Sequence, residues 1–170
     1  MKKSIFRRIL NRFLHLLARF LPGAKTVRPF LHRLRGVKIH GKVFIGEEVY
    51  IESEYPECVE IQEGAMITLR SIILAHIRGP GKVIIGKKVF IGANSVIATT
   101  VGRTLTIGEG SVIGASSVVT SDIPPYTYCI SAKIKPMAKV TVPLTGKTDY
   151  DTFKKGLKPL TGKDQGDNNG

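Results

Sequence analysis

Aliphatic side chains return along this chain at intervals of six. Ile39, Ile45 and Ile51 open the series, Ile61, Ile67 and Ile73 continue it, and Ile85, Ile91, Ile97, Ile107, Ile113 and Val119 complete it. Gly often follows the aliphatic residue, and a small or β-branched residue answers four places later: Val43, Val49, Ala65, Ser71, Ile77, Val89, Ser95, Val101, Ser111 and Ser117. Two intervals, Ile51 to Ile61 and Ile97 to Ile107, are ten residues instead of six. Each reads as one unit with four residues inserted at a corner. Residues 79–84 read as one degenerate unit, with Val83 in the small-residue slot, joining Ile73 to Ile85. A fixed six-residue period signals a parallel β-helix. Each hexapeptide forms one flat side, three sides make a triangular coil, and coils stack roughly 4.8 Å apart. The aliphatic residue points inward, and stacking buries a continuous core that no single unit could form.

A different period precedes this one. Ile5, Phe6, Ile9, Leu10, Phe13, Leu14, Leu17, Phe20 and Leu21 recur at helical spacing, interrupted by Arg7, Arg8, Arg12 and Arg19. That predicts an amphipathic helix over residues 4–21, ended by Pro22-Gly23. A shorter helix is expected over residues 29–34, feeding the first coil through Gly36. The organisation expected is a basic helical segment (1–35), the β-helix (36–140), a C-terminal extension (141–160) and a disordered Gly-, Asn- and Asp-rich tail (161–170).

Charge sharpens this division. The net charge is +13, and residues 1–38 hold eleven Lys or Arg with no Asp or Glu. The rest of the chain is close to neutral. The helix has no unbroken run near the roughly 20 apolar residues that span a bilayer, and its arginines break any signal-peptide core. Two readings stay open: a helix lying in an anionic membrane interface, or one packed on the β-helix or a neighbouring subunit. No nucleic-acid module accompanies the charge, so nucleic acid is not an expected partner. Cys58 and Cys129 are too few for a disulfide framework or a zinc site. They fit a reduced, cytoplasmic setting, with a peripheral place at the membrane's inner face if the helix binds there.

The loop at residues 52–60 carries Glu52, Glu54, Glu57 and Glu60. One coil later comes His76, the only His inside the mature repeat, beside the irregular Arg78-Gly79-Pro80-Gly81 turn. The repeat's phase turns it outward, so packing does not explain it. Imidazole is the side chain suited to taking up a proton near neutral pH. His15 and His32 fall in the helical segments and call for no functional role, and His40 is an edge residue.

The segments at residues 73–76, 83–97 and 113–119 and Asp122-Ile123-Pro124-Pro125-Tyr126 resemble the hexapeptide-repeat acyltransferases. The likeness runs over roughly residues 36–160 and is nearest the sugar O-acetyltransferases of the maltose and serine acetyltransferase branches. It implies an all-β, left-handed parallel β-helix, a homotrimer, acetyl-CoA as donor with no metal, and a catalytic His at the position of His76. It also implies a pantetheine-binding backbone near Ala93, Ala98 and Ala115. Lys133, Lys135, Lys139 and Arg103 are candidates for the CoA phosphates. Many relatives carry Asp directly after the catalytic His. Here Ile77 stands in that place, so Glu52 or Glu57 is expected to orient the imidazole. The family's Gly-Asn-Pro-Ala-Lys closing motif is only partly matched by residues 130–133 and 136–139. The function implied is acyl transfer to a sugar hydroxyl, in bacterial surface-glycan synthesis with a sugar or lipid-linked acceptor. The alternatives are an inert β-helix serving as an assembly or recruitment module, and a γ-type carbonic anhydrase, which needs three clustered His ligands.

Overall fold

The computed structural model describes residues 5–131, 138–143, 145 and 147–159. The chain divides into two compact units, Met1–Ser131 and Ala132–Gly170. The sequence pattern places its boundaries at residues 35, 140 and 160.

The first unit is a parallel β-solenoid of about four coils, and its hexapeptide repeat implies the left-handed form. One face stacks β1 (Lys38–Ile39), β4 (Val59–Ile61), β7 (Lys82–Ile85) and β10 (Thr104–Ile107). The second stacks β2 (Phe44–Ile45), β5 (Met66–Ile67), β8 (Phe90–Ile91), β11 (Val112–Ile113) and β13 (Tyr128–Cys129). The third stacks β3 (Tyr50–Ile51), β6 (Ile72–Ile77), β9 (Val96–Thr100) and β12 (Val118–Val119). In register, Ile45 sits on Ile67, Ile67 on Ile91 and Ile91 on Ile113, and all four are fully buried. Cys58 and Cys129 are half-buried against this column of aliphatic rungs.

The coils are joined through their backbones, each N–H donating to a carbonyl of the next coil: Phe44 to Ala65 at 2.9 Å, Gly46 to Ile67 at 2.8 Å. Between the second and third faces the chain turns on Glu48, Arg70, Asn94 and Ser116, with φ of 54°, 56°, 58° and 58°. Left-handed backbone is strained for such residues. Here it recurs because it aims the N–H groups of Arg70, Asn94 and Ser116 at carbonyls one coil back, at 2.9, 2.9 and 2.8 Å. Close stacking also explains Gly92, where a Cβ would lie 2.4 Å from the Ala115 nitrogen.

The inserted residues share one corner, between the third face and the first. The interval from Ile73 to Ile85 belongs with them. Ile73 is on β6 and Ile85 on β7, so residues 79–84 are not a separate side. A twelve-residue interval mimics two hexapeptides in sequence while holding one enlarged corner. This corrects the phase at that corner: Ile77 is 42% and Val101 55% exposed, whereas Ala75 and Thr99 are the buried residues there.

α1 (Ile5–Phe20) and α2 (Val27–Arg35) close the lower end of the prism. Coil carbonyls point back toward the preceding coil, so those of the first coil have no strand beneath them. Buried or edge carbonyls without donors are costly. Arginines of α2 serve all three faces. Arg33 Nε donates to Ile39 O at 3.2 Å, Arg28 to Ile45 O at 3.2 Å, and Arg35 to Ile51 O at 3.0 Å. Ile45 N also donates to Ala24 O at 2.8 Å. Gly36, with φ 107°, ends α2 and turns the chain into the first rung.

The second unit holds β14 (Ala138–Val140), antiparallel to β15 (Leu157–Pro159), and α3 (Tyr150–Lys155). Asp149 caps α3 by accepting from the N–H groups of Asp151 and Thr152 at 2.9 and 3.1 Å. The expected tail at 161–170 lies outside the described residues.

Candidate active site

The enlarged corner carries the chemistry. Glu52 directly follows the rung residue Ile51, and its N–H donates to Ile73 O at 2.9 Å. This fixes the Glu52 side chain beneath the end of β6. There, β6 and β9 lose register: Leu74 pairs with Ala98 but Ile77 with Thr100. Three steps on β6 oppose two on β9, which is a bulge, a device that re-aims a side chain. Ala75 remains buried while His76 turns outward, its side chain 32% exposed.

His76 Nδ1 lies 2.6 Å from Glu52 Oε2. The same oxygen accepts from Ala75 N at 3.0 Å, and Oε1 accepts from Glu54 N at 2.8 Å and Tyr55 N at 3.2 Å. Burial pushes the Glu52 carboxyl up. Together the hydrogen bonds from His76 and the three backbone N–H groups outweigh burial and hold it below its ordinary range. An ionised Glu52 is acceptor only, so Nδ1 carries the imidazole proton. Nε2 is left with its lone pair. The Tyr55 ring meets His76 edge-on, with centroids 5.6 Å apart. The arrangement can accept a proton at Nε2 and balance the resulting charge.

A second layer lies beneath Glu52. Arg35, buried, donates to Glu52 O at 2.6 Å and Asn11 Oδ1 at 3.0 Å, and bonds His32 Nδ1 at 2.8 Å. As the guanidinium only donates, His32 Nδ1 is the acceptor and its proton sits on Nε2. Asn11 Nδ2 in turn donates to Ser53 O at 2.5 Å. Burial lowers Arg35 to about 10, with Tyr50 and Glu52 opposing. Burial and then Arg35 and Arg19 lower His15 to about 3. His32 is held well below its usual value by burial, Arg35 and His15. Sequence reasoning gave these histidines and Arg35 no part in the site. Charge density in a basic segment does not reveal which guanidinium points inward.

The remaining candidates separate. Glu57 is exposed on the 3₁₀ turn Pro56–Cys58, while Glu52 holds the imidazole. Ala98, nearly fully buried, pairs with Leu74 one coil below, two residues before His76. Arg103 is exposed in the next enlarged corner. Ala93 and Ala115 lie at the opposite edge of the third face, where Ser116 N donates to Ala93 O at 2.8 Å. Lys139 is exposed on β14 in the second unit, and Lys133 and Lys135 lie outside the described residues. Among the described residues no three His, Cys, Asp or Glu side chains gather as a metal site. No described helix is long and apolar enough to cross a membrane. A cavity of about 290 Å³ beside β2 and β5, lined by Lys25, Phe44 and Met66 among others, contains none of the predicted site residues.

Comparison with known proteins bears on the coils that follow His76. Residues 82–121 match the family described as the hexapeptide repeat of succinyl-transferase. A hexapeptide-repeat-containing acetyltransferase from Vibrio cholerae shares the fold, with a TM-score of 0.51 and 22% identity over 75% of this chain and 89% of that one. A maltose O-acetyltransferase from Clostridium difficile is 22% identical, over 74% of this chain and 80% of that one, at a TM-score of 0.38. No curated protein matches the chain.

Proposed function

We propose that this chain, whose residues 82–121 match the hexapeptide-repeat family, is an acyl-CoA-dependent O-acyltransferase of that family, with an acetyl donor and a sugar hydroxyl as acceptor. The observation that carries this reading is the short bond between His76 and the buried, fourfold-bonded Glu52. A carboxylate sealed at the corner and aimed at Nδ1 serves an imidazole that must present Nε2 as a base.

In the transfer, His76 Nε2 takes the acceptor hydroxyl's proton as that oxygen bonds the thioester carbon. The carbon–sulfur bond breaks, and the proton passes from Nε2 to the departing sulfur. General-base help of this kind is worth typically ~10²–10⁴-fold. Glu52 keeps the tautomer fixed and offsets the imidazolium charge, the division of labour familiar from other His–carboxylate pairs. The donor supplies an activated acyl group. Ala93, Ala98 and Ala115 leave the coil backbone open to pantetheine, and Arg103 offers a cation for its phosphates. Since Ala98 and Arg103 flank one edge of the third face and Ala93 and Ala115 the other, a furrow between two prisms would draw on both edges. That favours a homotrimer. A lipid-linked glycan as acceptor, within surface-glycan synthesis, is the pathway we favour.

The test follows thiol release from acetyl-CoA across nucleotide-sugar and polyprenyl-linked acceptors. His76→Ala should lower kcat about 10²–10⁴-fold with an unchanged circular dichroism spectrum. Glu52→Gln, which keeps the shape but can favour the wrong tautomer, should lower kcat and shift the pH–rate profile while KM holds. Turnover that survives His76→Ala would remove the base from this reading. Failure of acyl-CoA to bind the wild-type protein would favour an inert scaffold.

A further inference from the structure

Both terminal helices are mounted with their polar sides inward. α1 buries Asn11, His15 and Ala18 against the prism, residues spaced four and three apart on one side. Its opposite side carries Ile5, Phe6, Ile9, Phe13, Leu16 and Phe20, with Phe6 75% and Phe13 56% exposed. α2 repeats the inversion in part, burying Arg28, His32 and Arg35 beside Pro29 and Leu31 while leaving Val27, Phe30 and Leu34 exposed. Leu10 and Leu34 line one shallow groove between the helices, so the two apolar faces adjoin. No described residue of the first unit covers this surface, and contiguous exposed apolar area marks an interaction site.

Charge selects the occupant. On α1, Arg7 borders the apolar stripe on one side and Arg8 and Arg12 on the other, all exposed, the last two also reaching Glu54. Lys25 is exposed in the turn between the helices, and Lys2 and Lys3 precede α1 in sequence. Residues 1–38 contain no acid. Pairing this face with its copy would bring two cationic segments together. The rest of the chain is near neutral, and the acid nearest this face, Glu54, is already engaged within the chain by Arg8 and Arg12 at 3.3 and 3.7 Å. An apolar stripe bordered by long cationic side chains fits the plane between headgroups and acyl chains, phenylalanines below and guanidiniums at the phosphates.

The geometry points to the outer face of α1 and α2 as a docking surface for an anionic lipid bilayer. It leaves the His76 corner free, because the same helices meet the Glu52 turn with their other side.

The test floats the purified full-length protein with vesicles of phosphatidylcholine, with and without phosphatidylglycerol. Binding should require the anionic lipid and weaken as salt rises. Each surface cation is worth about fivefold in affinity. Phe6→Ser/Phe13→Ser should weaken binding roughly tenfold or more, with circular dichroism and the melting temperature unchanged. Arg7→Gln/Lys25→Gln should lose the preference for phosphatidylglycerol. Wild-type protein that stays unbound, or binds both vesicles alike, would overturn the proposal. So would a Phe6→Ser/Phe13→Ser protein that sediments as a smaller species, since a second copy would then be the occupant. None of these outcomes depends on turnover, so they stand apart from the fate of the acyltransferase reading.

Discussion

The solenoid and the helical pair beneath it bury opposite chemistries. Inside the prism lie Ile45, Ile67, Ile91 and Ile113. At the junction with the helices lie Arg28, Arg35, His15, His32 and Asn11, while phenylalanines face outward. The difference follows from what each surface must satisfy. A coil wall has its backbone paired above and below and needs only apolar contact within. The end of a solenoid is a ring of carbonyls, and what closes it must donate hydrogen bonds. Arginine, with five donors in a planar fork, fits that task on every face.

The sharpest way to break this comparison is to remove one donor. Arg35→Ala would strip donors from Ile51 O, Glu52 O and Asn11 Oδ1 at once. Each buried group left unpaired costs about 1–3 kcal/mol, so a loss of about 4 kcal/mol or more is expected in urea unfolding. It should exceed or match that of Ile67→Ala in the core, for which about 2–5 kcal/mol is usual. Arg35→Met, which restores bulk without donors, should recover little. If methionine rescues stability, the junction is ordinary packing and the contrast dissolves.

This inversion marks where the sequence stops being legible. The rungs are readable because inward residues repeat at a pitch set by the coil. An amphipathic helix also reads clearly, yet its pattern does not say which side faces the protein. The usual inference sends Phe13 inward, and the carbonyl ring that overrules it appears only once the coils are stacked. At the corners, the twelve-residue gap from Ile73 to Ile85 hides an insertion because twelve is twice six, so Ile77 takes the small-residue slot; Val101 takes it by the same four-place count, although its ten-residue interval does read as an insertion. The acidic loop was visible as a neighbour of His76, but composition could not separate Glu52 from Glu57. Position relative to the rung does: only Glu52 follows Ile51 closely enough to be fixed under the bulge.

Acid should act on the junction before it acts on the prism. His15, lowered to about 3, and His32, also lowered, stay neutral in the folded protein. Both would take up protons in the unfolded chain below about 6.5. The unfolded state then binds more protons, so stability is complete above about 6.5 and falls as pH drops toward 3. The groups facing this pair, Arg19 and Arg35, carry positive charge and oppose a further cation. Tyr50 packs edge-on against His15. Glu52, also lowered, adds to the loss only as pH falls through and below the ordinary carboxylate range. The melting temperature should therefore decline between pH 7 and 5, and His15→Gln/His32→Gln should flatten that decline. An equal slope in the variant would place the acid sensitivity elsewhere.

The smallest expected effect is the most discriminating. If the phenylalanines of α1 were a core displaced from its proper place, removing one would cost what core aromatics cost, about 3–5 kcal/mol. If they face solvent in the folded chain, as Phe13 does at 56% exposure, folding gains little from them. Phe13→Ser should then change unfolding free energy by no more than about 0.5 kcal/mol, the range of ordinary surface substitutions. Ala18→Ser on the opposite side tests the complementary half, because Ala18 is 1% exposed and a hydroxyl there must find a partner or remain unsatisfied. A larger penalty for the one-atom change at Ala18 than for the loss of a whole ring at Phe13 would fix which side of the helix the fold depends on. It would also leave the phenylalanines without a role in folding, so that any selection for them must act through what the folded protein meets.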